Sequence, residues 1–137
     1  MHTVIIGAGA MGSLIGYLLF RAGAQVDLIE RDPAIVRAIN AEGLRVEGVS
    51  GGHLVPLRVR AEAPESAAAD LIFVLVKAQD TAAAIETIRP LVSSRTVAVT
   101  WQNGVGSERL LGEAPRLVTP AMTRTQPSAS PSSRSLP

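Results

Sequence analysis

The sequence predicts a doubly wound α/β domain of the Rossmann type, a parallel sheet carrying a small antiparallel excursion. Three observations lead there. Short apolar runs alternate with helical patterns along most of the 137 residues, the order of a parallel sheet with crossover helices. A glycine fingerprint, Gly7-Ala8-Gly9-Ala10-Met11-Gly12, separates the first run from the first helix. The segments 7–12, 30–31, 77–80 and 101–106 all fall at the carboxyl ends of predicted strands, where such sheets bind ligands.

Residues 3–6 are a β-branched run, too short for a helix and ended by Gly7, and read as a buried strand. Met11, Leu14, Ile15, Leu18, Leu19 and Ala22 recur at helical spacing and predict an inward face up to the stop at Gly23. Residues 25–30 make a second strand. Asp32 then Pro33 is an N-cap with proline at the first helical position; this helix runs to about residue 41 and ends near Gly43. Alternation at Leu44/Val46 and at Val55/Leu57/Val59 predicts two antiparallel strands, 44–47 and 54–60, across the turn Ser50-Gly51-Gly52. Residues 70–76 are almost wholly apolar, as a central parallel strand should be.

Asp80 caps a helix to about residue 91 with Ala84, Ile85, Ile88 and Leu91 inward. Residues 96–100 form the next strand, 107–111 a short helix after the Asn103-Gly104 turn, and 117–119 a last strand. The Rossmann domain is therefore expected over residues 1–125. Residues 126–137 hold five serines, three prolines and no acid. They bury too little apolar surface to offset their ordering entropy and are expected to be a disordered tail.

Composition narrows the function classes. The chain is 47% hydrophobic and 18% charged, yet no run approaches the ~18 apolar residues of a membrane span. It opens straight into a strand, without a charged-then-apolar leader. With no cysteine, disulfides and thiolate metal sites are excluded, and no metal site is predicted. His2 and His53 read as solvated surface residues. A net charge of +1 makes no case for nucleic acid. A cytoplasmic protein fits, acting on neither membrane nor nucleic acid, with its oligomeric state left open. Arginine supplies almost all the positive charge, and Lys77 is the single lysine.

Four motifs carry chemistry, each with a plainer alternative. The 7–12 fingerprint follows a strand and opens an amphipathic helix, which favours a dinucleotide cradle over a simple turn. Gly7 permits the tight turn, Gly9 the approach of a pyrophosphate, and Gly12 close helix packing. The helix start offers N–H donors and a positive dipole end to phosphate. Glu30 and Arg31 end the second strand and pull in opposite directions. The acid suits the adenosine 2′-hydroxyl of NAD, the arginine the 2′-phosphate of NADP; the alternative is a bland surface pair. Lys77 is either a solvated lysine or a compact donor to a ribose hydroxyl or carbonyl. Asn103 is either half of a common Asn-Gly turn or an amide that donates and accepts between nicotinamide ribose and substrate. Trp101 reads as packing.

Together these residues resemble the N-terminal domain of the ketopantoate reductase (2-dehydropantoate 2-reductase) family. The resemblance rests on the fingerprint with Gly16, on Val26-Asp27-Leu28-Ile29-Glu30-Arg31, and on Asn40-Ala41-Glu42-Gly43-Leu44. It continues through residues 70–80 into Thr81 and ends with Gln102-Asn103-Gly104-Val105-Gly106, covering about residues 3–113. It implies NADPH-dependent reduction of 2-dehydropantoate to pantoate, on the pantothenate route, with a small 2-keto acid as partner. By resemblance residues 7–12 hold the pyrophosphate and Arg31 the 2′-phosphate of NADP. Lys77 and Asn103 lie near the nicotinamide, and Asn103 also binds substrate. Glu30 departs from the small residue often found before that arginine, which keeps NAD as the alternative cofactor.

The family continues into a helical C-terminal domain that supplies the proton-donating lysine and most substrate contacts, and nothing in this sequence corresponds to it. The expectation is a cofactor-binding part only, with no catalytic residue of its own and negligible turnover alone. The rival readings are a nucleotide-sensing module without catalysis, a related dehydrogenase of another 2-keto or 3-hydroxy acid, and a non-functional remnant.

Overall fold

The computed structural model describes residues 1–49, 51–64 and 68–101. In chain order these form β1 (His2–Ile6), α1 (Ala10–Arg21), β2 (Gln25–Ile29), α2 (Pro33–Glu42), β3 (Leu44–Gly48), β4 (Gly51–Val55), β5 (Val59–Arg60), β6 (Leu71–Val74), α3 (Thr81–Ile88) and β7 (Val97–Thr100). Short 3-10 turns, Ala78–Asp80 and Arg89–Leu91, flank α3. Five strands make one parallel sheet in the order β5-β2-β1-β6-β7, while β3 and β4 pair antiparallel beside it. Residues 3–6 of β1 align with 26–29 on one side and 71–74 on the other. The chain winds outward from β1 to β5 and returns to β6, so the order reverses between β1 and β6 and opens a crevice there.

Alternation along the strands distributes the apolar side chains to two cores. Val4, Ile6, Ile29, Ile72 and Val74 meet Ala84, Ile85, Ile88 and Leu91 on one face. Ile5 and Leu28 meet Tyr17, Leu44, Val55, Leu57 and Val59 on the other. Burial on both faces explains why β1 and β6 read as continuous apolar runs. The predicted α/β class and the inward face of α3 are both present. Asp32 caps α2 as expected, its side chain accepting from the Ala34 N–H at 2.8 Å. No helix among the described residues is long and apolar enough to cross a membrane.

Four local expectations are corrected. The buried side of α1 is Gly12, Gly16 and Tyr17, whereas Met11, Leu14 and Leu18 are 41%, 39% and 54% exposed and Ala22 is exposed too. Small residues let the helix lie close to the sheet: a Cβ at Gly16 would stand 3.3 Å from Leu57. Ile15 and Leu19 do pack against this core. The run 54–60 is not one strand. It ends its pairing with β3 at Val55, turns through a Leu57 N–H to Val55 carbonyl bond of 2.8 Å, and resumes as β5 beside β2. Pro56, without an N–H, sits at the break. His2 is not solvated: its Nε2 lies 2.8 Å from Asp27 and its side chain is 10% exposed. His53 stacks on Tyr17, ring centroids 5.0 Å apart.

The outer strand β5 is held by α2. Asn40 donates to the Val59 carbonyl at 2.8 Å and accepts from the Val59 N–H at 3.0 Å. Within β1 the Thr3 hydroxyl is fully buried without a hydrogen-bond partner among the described residues. The predicted helix at 107–111, the strand at 117–119 and the tail at 126–137 lie outside the described residues.

Candidate functional site

The three glycines of the fingerprint do different work. Gly7 turns the chain off β1 with φ +104°, a conformation that L side chains rarely adopt, and a Cβ there would meet the Leu75 carbonyl at 2.9 Å. At Gly12 a Cβ would fall 1.8 Å from the Gly7 carbonyl oxygen, so α1 closes on its own loop only because that position is bare. Gly9, the N-cap of α1, has an ordinary φ of −69° and no side-chain cap. A Cβ there would meet nothing within 4 Å. The fold needs Gly7 and Gly12; at Gly9 the backbone is bare toward open space.

That space belongs to a cleft of about 650 Å³ at the carboxyl ends of β1, β2 and β6, lined among others by Gly7, Gly9, Glu30, Arg31, Asp32, Lys77, Gln79 and Asp80. Five residues singled out from the sequence therefore line one cleft: Gly7, Gly9, Glu30, Arg31 and Lys77. The other members of the fingerprint are set back. Ala8 and Gly12 are buried, and Ala10 and Met11 are exposed where α1 begins. Asn103 lies outside the described residues.

Glu30 is fastened at both oxygens. One accepts from the Ala8 N–H and the other from the Asp32 N–H, each at 2.9 Å. This carboxylate ties the fingerprint loop to the start of α2 and leaves little freedom to swing. Beside it, Arg31 donates to Asp80 at 3.3 Å, from the end of β2 to the start of α3. Asp80 holds the N-cap position of α3 as expected but makes no cap bond. Its backbone is helical (φ −95°, ψ −2°), continuing the 3-10 turn, where a capping residue is ordinarily extended, and its side chain bonds Arg31 instead. Lys77 is exposed on extended backbone (φ −63°, ψ 149°) and makes no ion pair among the described residues.

Asp80 and Gln79 are the site residues that motif reading passed over. Asp80 resembles an ordinary helix cap in sequence, and its partner is 49 positions away. The resulting cleft combines an oriented carboxylate, two cations and an unobstructed glycine at the start of α1. These groups suit an elongated anionic ligand bearing hydroxyls. Among the described residues no group of three or more His, Cys, Asp or Glu is placed to hold a metal.

Comparison with known proteins gives a consistent pattern. Residues 3–128 match the family described as "Ketopantoate reductase PanE/ApbA". A 2-dehydropantoate 2-reductase of Pyrococcus abyssi is 42% identical over 112 residues, 79% of this chain and 35% of its own length. The crystal structure of a PanE/ApbA family ketopantoate reductase from Ralstonia eutropha superposes with a TM-score of 0.79 at 34% identity, covering 87% of this chain and 40% of that one. A D-mandelate dehydrogenase solved with NADH and anilino(oxo)acetate superposes at 0.78 with 28% identity, over 83% of this chain and 37% of that one. The chain thus spans about a third of the length of the curated relatives it matches.

Proposed function

The chain belongs to the ketopantoate reductase PanE/ApbA family, and on that premise we propose that it is the dinucleotide-binding part of a 2-dehydropantoate 2-reductase. The observation that carries the proposal is the bare Gly9 at the start of α1, opening on a cleft at the switch point of a parallel sheet. A reduced nicotinamide bound there supplies the hydride for the 2-keto carbon.

The chain's own residues bind and orient. The N–H groups opening α1 take the pyrophosphate, with Gly9 permitting contact and Gly7 and Gly12 shaping the loop. Glu30 accepts from adenosine ribose, and Arg31 takes the 2′-phosphate when the cofactor is NADPH. Lys77 and Asn103 act at the nicotinamide end, Asn103 also touching the 2-keto acid. The proton for the new hydroxyl comes from outside these residues, and bond formation needs cofactor, ketone and acid in one geometry. The described residues up to 101 serve as the binding domain, in a cytoplasmic setting.

Titrating the 137-residue chain with NADPH and with NADH, followed by nicotinamide fluorescence, tests the reading. Saturable binding of at least one is expected, with negligible oxidation when 2-dehydropantoate is added. Absence of binding by both refutes the proposal, and steady turnover by the isolated chain refutes its restriction to cofactor binding.

A further inference from the structure

We infer that Asp80 is a specificity-determining residue for the dinucleotide, weakening the hold of this cleft on a 2′-phosphate by engaging Arg31 and adding a carboxylate beside it. The inference rests on the dinucleotide reading above and concerns which of its two forms the site accepts. Arg31 is the cation that follows β2, and its Nη1 is bonded to Asp80 Oδ1 across the cleft at 3.3 Å. Three carboxylates line the same cleft: Glu30, Asp32 and Asp80. Two of them are committed to backbone, Glu30 to the Ala8 and Asp32 N–H groups and Asp32 to Ala34. Only Asp80 spends its carboxylate on the arginine, and it makes no cap bond to α3.

A 2′-phosphate entering beside Arg31 competes with Asp80 for the guanidinium, whose Nη1 is already engaged, and remains near the Asp80 charge. A 2′-hydroxyl needs neither step, since it is a donor and Glu30 is held ready to accept. The bridge therefore acts on one cofactor and leaves the other alone. Its side chains are 68% and 39% exposed, so solvent screens the pair and the effect is modest.

The test measures the dissociation constants of NADPH and NADH for the 137-residue chain, for D80N, for R31A and for R31A/D80N. The D80N substitution keeps the size and the N-cap preference of the aspartate while removing the charge. It should tighten NADPH roughly fivefold, the upper range for releasing an exposed pair, and change NADH less than about twofold. In the R31A background the same substitution should give a clearly smaller gain for NADPH, only the direct effect of removing the carboxylate, a dependence on Arg31 that a merely structural role would not produce. Equal shifts for both cofactors, no shift, or an undiminished gain without Arg31 overturns the inference while leaving the dinucleotide reading intact. If the unaltered chain binds neither cofactor, the reading falls and the inference with it.

Discussion

Replacing Gly9 with alanine separates binding from folding, because a methyl there meets no described residue beyond its chain neighbours within 4 Å and φ is already −69°. Two small stability effects oppose each other: alanine is a poorer N-cap than glycine by about 0.5–1 kcal/mol, and it restricts the unfolded chain by about 0.4–1 kcal/mol. The folded protein should therefore change by less than about 1 kcal/mol. Binding should change far more. The methyl projects about 1.5 Å, one carbon–carbon bond, into the space where a pyrophosphate approaches the first turn of α1. Loss of one charge-assisted hydrogen bond there costs about 1.5–3 kcal/mol, on the order of 10- to 100-fold in dissociation constant. Gly12→Ala is the opposite case. Its Cβ would lie 1.8 Å from a backbone oxygen, so α1 must shift, at a cost of about 3 kcal/mol or more. Urea denaturation and dinucleotide fluorescence titration on both variants provide the check. A G9A chain that melts like the unaltered one and still binds as tightly would refute the argument that Gly9 serves the cleft.

Three further outcomes are expected. Thr3→Val removes a buried hydroxyl with no partner among the described residues, at nearly constant shape, and should raise stability by about 1 kcal/mol in urea denaturation; a loss of that size would show that the hydroxyl is satisfied in solution. Asn40→Ala leaves the N–H and carbonyl of Val59 without their bonds, and should cost about 1–2 kcal/mol while accelerating hydrogen exchange at the Val59 amide. Glu86 should titrate below the ordinary glutamate value of 4.5, because Arg89 hydrogen-bonds its carboxylate and places a positive charge beside it. A lowered carboxylate contributes above its unfolded value and loses that contribution as pH falls through its folded one. NMR titration should find Glu86 back at the ordinary value in R89A, and an unchanged titration would argue against the pair.

The sheet was legible because its strands are buried on both faces and read as apolar runs. The helix of residues 33–42 was legible from its cap and spacing, and that of residues 81–88 from its spacing. The failures share a physical origin. Helix α1 is apolar nearly all round, so spacing alone does not say which side meets the sheet; that is decided by Gly12 and Gly16, whose contribution is absent bulk. The run Val55/Leu57/Val59 stays inward while its pairing partner changes, and alternation records burial without recording the partner. His2 with Asp27, and Arg31 with Asp80, join positions 25 and 49 apart, beyond the reach of any local pattern. In the cleft, strand-end position predicted Gly7, Gly9, Glu30, Arg31 and Lys77, whereas the diversion of Asp80 from capping depends on a 3-10 turn that the sequence does not advertise.

The clamp on β5 has a directional consequence. Of the two residues in that strand, Arg60 turns its carbonyl inward to the Glu30 N–H, so the outward-facing backbone groups are those of Val59, and Asn40 occupies both. A side-chain amide has thereby taken the place of a neighbouring strand, leaving an incoming chain no ladder to join and protecting the edge from pairing between molecules. Among the described residues the opposite edge of the sheet is β7, on the flank away from α2.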